Sequence, residues 1–130
     1  MGLLQRLLGR DKEEDGDDPE VVITLDAVRR KPQLIRLEQA LDALATEMRA
    51  NHTVDDPGWR SRVNEYSRLA GDAMTLRGDL TREGLLDLVF AVRPVFSGTV
   101  PPGFENLGPL QSEVMAAADD LRERLPSEKQ

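Results

Sequence analysis

The sequence predicts an all-α protein, a compact bundle of about four main helices behind a mobile amphipathic and acidic N-terminal leader. Three observations carry that expectation. Apolar residues recur at helical spacing over four separate stretches. Capping and breaking residues, Asp56-Pro57, Gly78 and Thr81 among them, punctuate those stretches. Only Val21–Leu25 has β-branched character, and no second run is available to pair with it.

The leader comes first. On a helix, Leu3, Leu4, Leu7 and Leu8 share one arc of about 140°, with Gln5, Arg6 and Arg10 outside it. Those polar residues and the acids that follow do not fit a secretory signal, and Arg6 stands where myristoylation needs Ser or Thr. Residues 11–20 are too charged to bury and read as a solvated linker. Asp11, Glu13, Asp15 and Gly16 imitate the start of a calcium loop. Its bidentate Glu is replaced by Val22, however, and its apolar eighth position by Asp18.

Val21–Leu25 is expected to pack as an extended arm. Thr24 would then cap a short helix through Lys31, which Pro32 should end or bend. The first strong helix spans 33–50, with Leu34, Leu37, Leu41, Leu44, Ala45 and Met48 on one face. The second opens on the Asp56 cap and Pro57, lines Trp59, Val63, Tyr66, Leu69, Ala70, Ala73 and Met74 along one side, and stops at Gly78. The third runs from a Thr81 cap to about Arg93. Seven of the eight residues Leu85–Val92 are apolar, which predicts a central, mostly buried helix with one wet edge at Glu83 and Asp87. The fourth covers about 109–125, its stripe being Leu110, Val114, Ala117, Ala118, Leu121 and Leu125. The expected organisation is therefore a leader at 1–20, a bundle at 21–125 and a polar tail at 126–130.

Charge narrows the partners. The formal net charge is −7, of which residues 1–20 hold −4 (three basic, seven acidic) and the rest −3 (fourteen against seventeen). No basic stripe of the kind that neutralises phosphates is visible in the bundle, and five aromatic residues give little to stack bases on, so no nucleic-acid partner is expected. The chain has no cysteine, which removes thiolate zinc sites and thiol nucleophiles and suits a reducing, cytoplasmic setting. Arg outnumbers Lys fourteen to three, a bias expected of a GC-rich bacterial coding sequence.

Candidates for chemistry are few. The single His52 lies past a helix end, without the Glu-x-x-His pairs that helical bundles use for two-metal sites. Ser97 lacks a nucleophile elbow, and no glycine-rich phosphate loop is present. No catalytic residue, metal or cofactor is expected. The leading expectation is a non-catalytic interaction or adaptor protein with a protein partner. It would act through the leader residues Leu3, Leu4, Leu7 and Leu8, or through Phe96, Val100 and Phe104 in the 94–108 loop, or both. Residues 2–10 would also suit a weak membrane contact, placing the protein peripherally at the inner face. The alternative is a ligand pocket between helices beside Trp59 and Tyr66. A carboxylate enzyme using Asp87 and Glu83 ranks third.

Overall fold

The computed structural model describes residues 25–51 and 57–128. The leader with Leu3, Leu4, Leu7 and Leu8, the Thr24 cap, His52 and the Asp56 cap all lie outside the described residues. Four helices follow in order: α1 (Ala27–Arg49), α2 (Pro57–Gly78), α3 (Arg82–Ala91) and α4 (Leu107–Arg122), then a single 3₁₀ turn, Pro126–Glu128. Among the described residues there is no strand, and no helix is long and apolar enough to cross a membrane.

The centre is α1, not α3. The backbone of α1 runs close along both α2 and α4, while that of α3 comes close to α2 and α4 only briefly and not to α1. Seven apolar residues of α1, from Leu34 to Met48, are buried and meet Val63, Tyr66, Leu69 and Ala73 of α2 and Val114, Ala117, Ala118 and Leu121 of α4. Length decides this. A ten-residue helix rises only about 15 Å, too short to run between two longer partners, and α1 has 23 residues.

Pro32 does not end a helix either, since α1 is continuous through it. A proline inside a helix removes one backbone bond, that to Val28, at a local cost of about 3 kcal/mol. Val28 is exposed, so water can serve its carbonyl. The first turn is also fixed from both sides. The Asp26 side chain accepts from the Arg29 N–H at 3.2 Å, and the Asp26 N–H donates to Glu128 at 2.7 Å. Cross-helix pairs finish the bundle: Arg36 bridges Glu113 and Asp120 of α4, and Arg77 of α2 reaches Glu38 at 2.7 Å.

Candidate docking face

Helix α3 begins where Thr81 accepts the Gly84 N–H at 3.0 Å. Gly84 is there for space: a Cβ would lie 2.8 Å from Leu76 Cδ1 and 2.9 Å from Thr81 Oγ1. Gly84→Ala should gain about 1 kcal/mol from helix propensity alone. The crowding reverses the sign, and a lower melting temperature is the expected reading.

Leu85, Leu88 and Val89 turn inward. Arg82, Leu86 and Phe90, spaced by four, therefore align outward in one stripe. Phe90 is 69% exposed, with the Arg122 guanidinium 5.8 Å from its ring centroid. An apolar helix held at the edge of a bundle leaves one apolar face without a partner. Glu83 and Asp87 are exposed as well, on the edge the sequence assigned to water.

Two clefts of opposite charge flank α3. The one toward α4, about 360 Å³, has Leu25, Leu85, Leu86 and Leu121 in its walls. Its charged lining is Arg30, Arg82, Arg122 and Arg124 against Glu128, four positive groups and one negative, or +3. Arg82 and Arg124 have no ion-pair partner among the described residues, and Arg122 pairs loosely with Asp119 at 3.4 Å. The cleft toward α2, about 320 Å³, is lined by Asp72, Asp79 and Asp87 over Leu69, Leu76 and Leu88, or −3. Its carboxylates are not gathered closely enough to hold a metal; no metal-binding cluster occurs among the described residues.

The basic cleft has a rigid floor. Arg30 and Glu128 are both buried and share two hydrogen bonds, at 2.9 and 2.6 Å. Arg30 also donates to the carbonyls of Leu121 (3.3 Å) and Glu123 (2.7 Å), groups the end of α4 leaves unpaired. Burial pushes the Glu128 carboxyl up, but the Arg30 hydrogen bonds and charge, with the N–H groups of Asp26 and Leu125, outweigh it and hold the pKa at about 2.

The residues singled out from sequence are placed as follows. Phe96 and Phe104 are half-buried and meet Trp59, with ring centroids 5.4 Å apart for Trp59–Phe104 and Phe96–Phe104 and 6.4 Å for Trp59–Phe96. The Trp59 indole N–H donates to the Met48 carbonyl at 3.0 Å, so this cluster also closes the end of α1. Gln111 receives the Phe96 N–H at 2.8 Å and returns a bond to its carbonyl at 3.3 Å. Pro101-Pro102-Gly103-Phe104 forms a β-turn with Gly103 at φ 93°, as a type II turn requires. Val100 is half-buried next to Gly108. Tyr66 is fully buried; its hydroxyl donates to the Arg93 carbonyl and accepts from Arg62 at 3.2 Å, and burial pushes its pKa up. Neither Trp59 nor Tyr66 lines either cleft beside α3.

Phe90 and the arginines around it escaped the sequence reading. A helix apolar everywhere but at Glu83 and Asp87 reads as mostly buried, and no periodic signal says which apolar side will lack a neighbour. No protein-family model matches the chain, and comparison with curated proteins and with solved structures returned no match.

Proposed function

We propose that this chain is a non-catalytic interaction protein that receives a partner protein on the outward stripe of α3, with the leader residues Leu3, Leu4, Leu7 and Leu8 as a second contact element. One observation carries the reading: Phe90, a large apolar side chain 69% exposed at the end of a helix that is apolar except along its Glu83 and Asp87 edge. Fully burying a phenylalanine is worth about 1.5–3 kcal/mol, and an anchor ring beside an arginine is the kind of residue on which interface energies concentrate. The 94–108 segment supports the bundle in this reading, through Phe96 and Phe104, and the docking surface moves to α3.

The test is site-specific photo-crosslinking in cells, with the reactive side chain at position 90 and, as control, at exposed Asn64. A discrete protein adduct at 90 and not at 64, abolished by Arg82→Glu, is expected. Phe90→Asp should lose the same complex while changing stability by less than about 0.5 kcal/mol, as surface changes do. Identical adduct patterns at both positions would overturn the assignment. Flotation with anionic vesicles and no adduct at 90 would replace it with membrane attachment through residues 2–10.

A further inference from the structure

We infer that the basic cleft between α3 and α4 is occupied in cis by the acidic segment Asp11–Glu20 of the same chain. The inference rests on reading the α3 face as a docking surface, and it names that surface's resident ligand. Its place in the fold comes first. Leu25, the first described residue, is itself a wall of the cleft, so the segment preceding it departs from the cleft's edge. Gly16 lies nine residues upstream of Leu25, and a chain of that length reaches about 30 Å when extended. Asp11–Glu20 can therefore lie anywhere along the cleft.

Charge supplies the second argument. Residues 11–20 hold seven carboxylates and one lysine, −6 in ten residues. The cleft lining sums to +3 in a bundle that is otherwise weakly acidic, and Arg82 and Arg124 have no carboxylate of their own among the described residues. The −3 cleft on the other side of α3 repels the same segment, so only one of the two accepts it. Beyond residue 11 the leader reverses sign, with Arg6 and Arg10 among its leucines.

Tethering supplies the third. A segment joined by a few residues is present at an effective concentration in the millimolar range, far above that of most free partners. Arginine–carboxylate pairs on a surface are individually worth about 1 kcal/mol or less. Several together, spared the translational cost that a separate molecule meets, favour occupancy in cis where a separate acidic peptide would bind weakly. A protein partner for the α3 stripe must then displace, or lie over, the leader.

The absence of native cysteine makes the test direct. A spin label is attached to full-length Gly16→Cys, which keeps all seven carboxylates, and amide signals of the bundle are recorded with the label oxidised and reduced. Loss of signal is expected at Arg82, Leu86, Arg122 and Arg124, with Asp72 and Asp79 spared. The loss should disappear in Arg82→Glu/Arg124→Glu, whose side chains are exposed, and in about 1 M salt, where the screening length falls to about 3 Å. Mere nearness of the tether to Leu25 would survive both changes, so broadening that persists in them overturns the inference. Broadening of isotope-labelled chains by separate spin-labelled chains, at the same residues, assigns the cleft to a second copy and also overturns it. Neither result touches crosslinking at position 90, so the two readings fail separately.

Discussion

A Glu128→Ala chain is expected to lose about 3–5 kcal/mol of stability, a large part of the roughly 5–15 kcal/mol a domain of this size possesses. The cost does not come from the ion pair's attraction as such. It comes from what is left behind, a guanidinium only 2% exposed and stripped of its two carboxylate contacts. The same deletion frees the Asp26 and Leu125 N–H groups, which Glu128 also serves. At about 4 °C per kcal/mol or more, the melting temperature should fall by more than about 12 °C. Arg30→Met/Glu128→Leu is the informative companion. Replacing both charges by apolar groups is commonly neutral or stabilising, so recovery in the double variant would show that the pair fixes where the C-terminal turn sits rather than adding net stability. A Glu128→Ala loss below about 1 kcal/mol would mean that the turn is not anchored this way.

The same carboxyl gives the bundle an acid limit. Its pKa in the folded chain is about 2, against 4.5 in the unfolded chain. A carboxyl depressed on folding contributes stability that is complete above its unfolded pKa and is lost as pH falls through its folded one. Glu128 should thus contribute up to about 3 kcal/mol at neutral pH, declining between about pH 4.5 and pH 2. Denaturant melts of the native chain and Glu128→Gln across that range test it, and the variant should show the shallower acid slope. Some slope will remain. Asp26 is held low by its hydrogen bond from Ser127, and Glu113 by Arg36.

Helix positions were legible because they rest on local chemistry. The Thr81 cap, Pro57 as a first residue and Gly78 as a last one each act within a turn, and the structure keeps all three. What was not legible depends on partners distant in sequence. Pro32 looks like a terminator until Glu128, 96 positions on, is seen holding the turn before it. Residues 126–130 look like a tail because nothing nearby explains a buried glutamate; its partner is Arg30. Helix α3 shows the limit of composition. Its apolar content is real, but the bundle has room for one central helix, and the longer α1 takes that place. The stripe left outside, with Phe90 at its end, exists because local preference and global packing disagree there. Such a disagreement is where function is most reasonably sought.

Trp59→Ala tests whether the 94–108 segment belongs to the bundle or stands apart from it. Trp59 is half-buried, so the expected loss is about 2–4 kcal/mol, at or below the lower part of the range for buried tryptophans. Two contributions are separable. Trp59→Phe keeps a ring against Phe96 and Phe104 but cannot donate to the Met48 carbonyl, and should cost about 1 kcal/mol. The remainder belongs to the ring cluster, and its loss should be local before it is global. Removing the indole leaves Phe96 and Phe104 facing one another at 5.4 Å with a void beneath. The Gln111 bonds to Phe96 then become the main attachment of the segment's first half. Hydrogen exchange should accelerate between Val95 and Phe104 while α1 stays protected, and a protease should cut near exposed Gly98, where the φ of 82° marks a turn. The substitution would thereby create the exposed apolar loop that composition suggests, with Phe96, Val100 and Phe104 freed to bind. If exchange in this segment is already fast in the native chain and Trp59→Ala leaves it unchanged, the three rings do not anchor it. The segment would then rival α3 as the docking surface.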